Sequence, residues 1–162
     1  MEVKKINFEV AVYTSADELN EADKTLLLEA RNATEAAYAP YSNFFVGAVA
    51  QMANGERVSG TNQENASYPV GICAERVLIS VAATKYPGIG IETLAISYHN
   101  KNGDSNRPIS PCGICRQTLA EYEERTQHSI RVILGGMSGE VYILQKAGEL
   151  LPLTFMSGDL KK

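Results

Sequence analysis

Three cysteines in two short segments constrain this chain more than any other feature. Cys73 stands in Cys73-Ala74-Glu75-Arg76, and Cys112 and Cys115 in Pro111-Cys112-Gly113-Ile114-Cys115-Arg116. Both segments read as helix starts, where free backbone N–H groups and a partial positive charge favour the thiolate form. Cys112 and Cys115 are three apart, so they share a helix face that Leu119 and Tyr122 continue. One helix thus offers two sulfurs and another offers one. Three cysteines cannot all pair within one chain, and in a reducing compartment the close pair reads as metal-binding or catalytic. Cys73, Cys112 and Cys115 are expected to hold one zinc ion per subunit. Three protein ligands leave the fourth tetrahedral position open, which distinguishes catalytic zinc from closed structural sites. The two histidines, His99 at a strand end and His128 in a turn, are expected to stay outside the ligand set.

The rest of the chain is read around these segments. A strand-like start (Ile6 to Tyr13) leads to N-cap residues Thr14 to Asp17 and a helix from Asp17 or Glu21 to Tyr38, with Leu26, Ala30, Ala33 and Ala37 on one face. Phe45 to Met52 and Glu56 to Thr61 form a hairpin around Asn54-Gly55. After a polar loop to Gly71, a helix from Cys73 to Lys85 carries Ala74, Val77, Leu78, Val81 and Ala82 at helical spacing. A strand (Thr93 to Tyr98), a polar loop (His99 to Arg107), a helix (Pro111 or Cys112 to Glu123), two strands (Arg131 to Leu134 and Glu140 to Leu144) and a short helical piece (Lys146 to Leu150) complete it. This order predicts an α/β fold, a three-layer α/β/α sandwich on a mixed five-stranded sheet.

A chain of 162 residues with 44% hydrophobic content is enough for one domain with its own core. Residues 1–162 are read as that domain, with 1–17 as an N-terminal extension and 156–162 as a tail. The net charge of -4, from 15 Lys+Arg against 19 Asp+Glu, argues against a polymeric nucleic-acid partner and for a small-molecule substrate. No apolar stretch approaches the roughly 20 residues of a membrane span, and the start MEVKKINFEV does not resemble a signal peptide. A cytoplasmic location is expected, with no membrane partner.

Glu75 follows Cys73 by two residues. A carboxylate there suits the transfer of protons from water to a substrate that must gain them, which hydrolytic removal of an amine requires. Three thiolates and Zn²⁺ sum to a negative charge, and Arg76 is the adjacent cation that can offset it by donating to ligand sulfurs.

A Cys-x-Glu segment joined to Pro-Cys-x-x-Cys is the zinc-deaminase signature, with the glutamate outside the metal shell. From about Tyr38 to Phe155 the chain closely resembles the small, cysteine-ligated cytidine deaminases of pyrimidine salvage. The resemblance rests on Tyr41-Ser42-Asn43-Phe44-Phe45-Val46-Gly47-Ala48, Asn62-Gln63-Glu64-Asn65-Ala66-Ser67-Tyr68, Gly71-Ile72-Cys73-Ala74-Glu75-Arg76, Ser110-Pro111-Cys112-Gly113-Ile114-Cys115-Arg116-Gln117 and Leu150-Leu151-Pro152-Leu153-Thr154-Phe155. It implies zinc-dependent hydrolysis of cytidine and 2′-deoxycytidine to the uridine nucleosides. Glu75 would be the proton carrier, Asn62 and Glu64 would bind the ribose hydroxyls, and Phe44, Ala74 and Glu75 would lie against the base. It also implies a homotetramer in which Phe155 reaches a neighbouring subunit's site. The chain departs from the family pattern in its N-terminal extension, its loop Asn100 to Arg107, Phe45 where proline is common, and Ile114 where a smaller residue is usual.

The nearest rival is a deaminase of the same fold acting on an aminated nucleoside analogue, such as a peptidyl-nucleoside antibiotic. Asn62, Glu64 and the Leu-Leu-Pro-x-x-Phe tail favour cytidine. Nucleic-acid-editing deaminases usually use histidine as first ligand and need a surface for a strand. A purely structural zinc domain would need a fourth ligand, and a metal-free cysteine nucleophile would need a partner base.

Overall fold

The computed structural model describes residues 1–160; Lys161 and Lys162, part of the expected tail, lie outside the described residues. Among the described residues, six strands form one mixed sheet in the order β1-β6-β5-β4-β2-β3. They are β1 (Ala11–Tyr13), β2 (Phe44–Met52), β3 (Arg57–Thr61), β4 (Ile91–Asn100), β5 (Arg131–Gly135) and β6 (Val141–Leu144). Three helices cover the sheet: α1 (Glu21–Ala33), α2 (Ala74–Lys85) and α3 (Gly113–Thr126). β4 and β5 run parallel, and every other pair is antiparallel.

The period of two in the strands divides the core into the two layers a sandwich requires. Leu94, Ile96, Val132 and Leu134 pack with Leu78 of α2 and Leu119 of α3 on one face. Ala95 and Ile133, the residues between them, pack with Leu26, Leu27 and Ala30 of α1 on the other. Fully burying a side chain such as Leu27 or Leu78 (both 0% exposed) contributes about 2 kcal/mol. The predicted fold class is observed.

The sheet has six strands rather than the predicted five. Five strands would leave the outer edge of β6 unpaired, and an open edge is a liability that proteins cover. Three residues of the N-terminal extension do this, with Ala11 opposite Ile143 and Tyr13 opposite Val141. Of the two expected starts of the first helix, Asp17 and Glu21, the structure takes Glu21, and the α-helix ends at Ala33 rather than Tyr38, with a 3-10 turn at Thr34–Ala36. Ser15 caps a separate 3-10 turn at Ala16–Glu18, and α1 is capped by Asn20, whose side chain accepts from the Asp23 N–H at 2.9 Å. Asp23 in turn accepts two hydrogen bonds from Arg131 of β5, at 2.6 and 2.7 Å, and so ties α1 to the sheet.

One glycine bears directly on the site. Gly60 in β3 lies beneath the first turn of α2, and a Cβ there would meet the Ala74 carbonyl oxygen and the Leu78 nitrogen. Its missing side chain lets the start of α2 rest on the backbone of β3.

Candidate metal centre

Cys73 and Cys112 are the N-cap residues of α2 and α3, both in extended backbone conformation. An N-cap side chain usually accepts from the helix's free N–H groups. Neither cysteine does so, and both thiols remain available as ligands. Cys115, in the first turn of α3, completes the group: Cys73 Sγ lies 3.8 Å from Cys112 Sγ, which lies 3.5 Å from Cys115 Sγ. All three sulfurs fall within 4.8 Å of one another. Tetrahedral zinc with Zn–S bonds of about 2.3 Å has an S···S edge of about 3.8 Å, and the two shorter spacings lie close to it, so the three sulfurs are grouped as a zinc ion requires.

The sulfurs differ in environment. Cys115 is fully buried, Cys73 half-buried and Cys112 exposed. Hydrogen bonding from Cys115, aided by Cys112 and the charge of Arg76, lowers Cys73 to about 6 against the opposing effects of burial and of Glu75. Donation to Cys73, together with burial, pushes the Cys115 thiol up. The group is therefore arranged to concentrate negative charge on sulfur, and a dication relieves that tension for all three. Neither histidine belongs to it: His99 is exposed at the end of β4, and His128 packs beside Gly90.

Glu75 is only 5% exposed, and its carboxyl stands against Cys115. Burial raises its pKa, with smaller opposing contributions from a backbone N–H and from Cys115. Ala74 beside it is fully buried. Arg76 is half-buried, and its charge reaches Cys73, but no hydrogen bond joins its guanidinium to a sulfur among the described residues.

The expected sugar-binding pair lies on the strand-like segment leading to α2. The Asn62 amide is held at both ends, accepting from Val46 N–H at 2.7 Å and donating to the Phe44 carbonyl at 2.9 Å. Glu64 accepts from the backbone N–H groups of Tyr41 and Ser42 at 2.9 and 3.3 Å. The Ser42 side chain and these two N–H groups outweigh desolvation and lower its pKa. The fold thus joins the Tyr41–Phe44 turn to both residues. Phe44 is stacked on Tyr98 at a centroid distance of 4.8 Å.

Two residues had no role in the sequence reading although the quoted motifs contain them. Arg116 donates to the carbonyls of Pro111 and Leu150 and to Ser110 Oγ, joining α3 to the start of the C-terminal segment. Gln117 donates to the Phe155 carbonyl at 2.8 Å. Their position directly after Cys115 was the available signal. Phe155 itself is 57% exposed, so it does not serve as a cover for its own core.

The comparisons with known proteins agree with this geometry. The family model described as the cytidine and deoxycytidylate deaminase zinc-binding region matches residues 20–129. A cytidine deaminase of Halalkalibacterium halodurans is 38% identical over 135 residues, covering 83% of this chain and 95% of the relative. One from Mycobacterium tuberculosis is 35% identical over 137 residues, covering 81% and 90%. The crystal structure of a cytidine deaminase from Burkholderia pseudomallei superposes with a TM-score of 0.71 at 37% identity, covering 85% of this chain and all of that one. A match over most of the chain, with the three sulfurs at zinc spacing inside the matched region, establishes that this chain belongs to the cytidine and deoxycytidylate deaminase family.

Proposed function

We propose that the chain hydrolyses cytidine and 2′-deoxycytidine to uridine and 2′-deoxyuridine with release of ammonia, using one zinc ion held by Cys73, Cys112 and Cys115. The observation that carries this reading is the buried Glu75 carboxyl against three convergent sulfurs, in a chain that aligns with cytidine deaminases over more than four-fifths of its length. When bound, zinc supplies the Lewis acidity that makes water nucleophilic near neutral pH.

Glu75 manages the protons. Its carboxylate takes one from water as oxygen attacks C4 of the base and delivers it to ring N3. It then takes the second from the new hydroxyl and delivers it to the exocyclic amine; the C4–N bond breaks, ammonia leaves, and Glu75 is restored. A carboxyl whose pKa burial has raised holds a proton better than one in water, as a group that both accepts and donates must. Ala74 and Phe44 bound the base. Asn62 and Glu64 bind the sugar hydroxyls: a carboxylate has about four lone-pair directions, so Glu64 retains accepting capacity after binding Tyr41 and Ser42. Arg76 offsets the negative charge of the thiolates.

The molecule is read as one deaminase domain over residues 1–162, acting in pyrimidine salvage in the cytoplasm, where thiolate ligands stay reduced. It is further read as a homotetramer with shared sites. Ile114 beside the exposed Cys112, Tyr68 and Val70 before Cys73, and Leu153 and Phe155 in the C-terminal segment are all exposed, and contact with other subunits would cover them.

Cytidine hydrolysis, followed by the loss of ultraviolet absorbance, tests the reading when zinc is determined on the same preparations. Glu75→Ala is expected to retain about one zinc per chain and to lose activity by about 10²–10⁴-fold. A wild-type protein that holds zinc but leaves both nucleosides intact would move the reading to another aminated nucleoside. Absence of zinc would remove it.

A further inference from the structure

The loop between β4 and α3, one of the chain's departures from the compact family pattern, is tied to the substrate-binding side. Asn102, in that loop, grips two consecutive residues of the Tyr41–Phe44 turn. Its Nδ2 donates to the Ser42 carbonyl at 3.1 Å, and its Oδ1 accepts from Asn43 Nδ2 at 3.3 Å. Lys101 N–H donates to the Asn43 carbonyl at 3.0 Å. Asn43 needs such support, since its backbone lies in the left-handed region (φ 56°).

The loop is anchored on its far side. Ser105 accepts from Asn100 N–H through its hydroxyl at 2.8 Å and from Ser138 N–H through its carbonyl at 3.2 Å. Gly139 (φ 76°) lies so close to the Asn106 carbonyl that a Cβ would collide with it. The β5–β6 turn, the loop and the Tyr41–Phe44 turn are thus linked in series, ending at the two N–H groups that hold Glu64.

We infer that Asn102 is a positioning residue for substrate: it keeps the Tyr41–Phe44 turn in the shape that fixes the Glu64 carboxylate for a sugar hydroxyl. The inference rests on the role of Glu64 proposed above. Asn102 is exposed, so its replacement leaves the core intact.

The test compares wild type, Asn102→Ala, Glu64→Ala and the double variant in steady-state cytidine deamination, with zinc content and amide hydrogen exchange over residues 41–46. Asn102→Ala is expected to raise KM about three- to tenfold, the effect of losing one or two hydrogen bonds, with kcat within about twofold. It is expected to speed exchange at the Tyr41 and Ser42 amides, and to add nothing to KM when Glu64 is already alanine. An unchanged KM or unchanged exchange in Asn102→Ala overturns the inference, as does a KM effect that persists in full in the double variant. If Glu64→Ala itself leaves KM unaltered, the sugar-binding reading fails and this inference falls with it. If Glu64→Ala raises KM while Asn102→Ala does not, the reading stands and the inference alone is wrong.

Discussion

Two glutamates in this molecule are almost equally buried and are built for opposite purposes. Glu75 is 5% exposed and Glu123 is 7%. Glu123, near the end of α3, accepts from the N–H groups of Ile130 at 2.7 Å, Ala147 at 3.1 Å and Gly148 at 3.0 Å, so its charge is satisfied by backbone dipoles. Glu75 has burial raising its pKa, so its ionised form is disfavoured by the fold. A carboxyl whose folded pKa is raised is most stabilising below its unfolded value, and that contribution is lost as pH rises through the folded value. The two Gln substitutions should therefore separate. Glu123→Gln places an NH₂ among three N–H donors and is expected to cost about 1–3 kcal/mol, read as a lowered urea midpoint at unchanged slope, with kcat per folded molecule preserved. Glu75→Gln is expected to keep its urea midpoint or gain slightly, while losing activity. Loss of stability in both would mean that Glu75 is as structural as Glu123.

At the scale of the elements, the proposed site depends on how closely α2 approaches β3. Cys73, Ala74 and Glu75 all lie at the start of α2, and Gly60 sets that distance. Gly60→Ala inserts a methyl where the Ala74 carbonyl and Leu78 nitrogen already sit. The backbone must shift, and the cost is expected to be about 2 kcal/mol or more, from overpacking. Zinc measured after dialysis should fall along with the thermal midpoint; full zinc at wild-type stability would show that α2 has slack. The cysteines were legible because chemistry fixes residue type and helix starts have composition cues, and both were located within one residue. The helices and strands β2 to β6 were legible from hydrophobic period and turn signals, and a strand-like start was legible over Ile6 to Tyr13. Its membership of the sheet and its shorter extent, Ala11–Tyr13, were not, because that pairing needs knowledge of which edge lies open. Asn102 was also invisible as a support, and the place of Arg116 and Gln117 directly after Cys115 marked them without showing what they hold, since a partner 34 to 60 positions away leaves no local trace. Phe44 could be read as an aromatic near the base, but its stack on Tyr98 follows only from the β2–β4 register, in which Val46 lies opposite Tyr98.

For the whole molecule, the exposed edge of the site is the feature that calls for a partner surface. Two cavities, about 650 and 360 Å³, lie against the N-terminal segment and the residues around Leu150 to Met156, and no cysteine lines either. Cys112 is exposed, with Ile114 63% and Phe155 57% exposed. Gln117 ties the Phe155 backbone to α3, and the ring itself is more than half exposed. A ring held out from its own core is suited to complete a neighbour's site, and closed symmetry would make the exchange reciprocal. Subunit mixing tests this directly. Phe155→Ala chains keep Glu75 and all three cysteines but lack the ring; Glu75→Ala chains keep the ring but lack the proposed proton carrier. Each variant alone should be nearly inactive as an assembly of four with full zinc. Unfolded and refolded together in equal amounts, they should regain up to about a quarter of wild-type activity, because that share of sites combines an intact Glu75 with an intact Phe155 from its neighbour. If Phe155 serves only its own chain, every mixed site lacks one of the two, and mixing restores nothing.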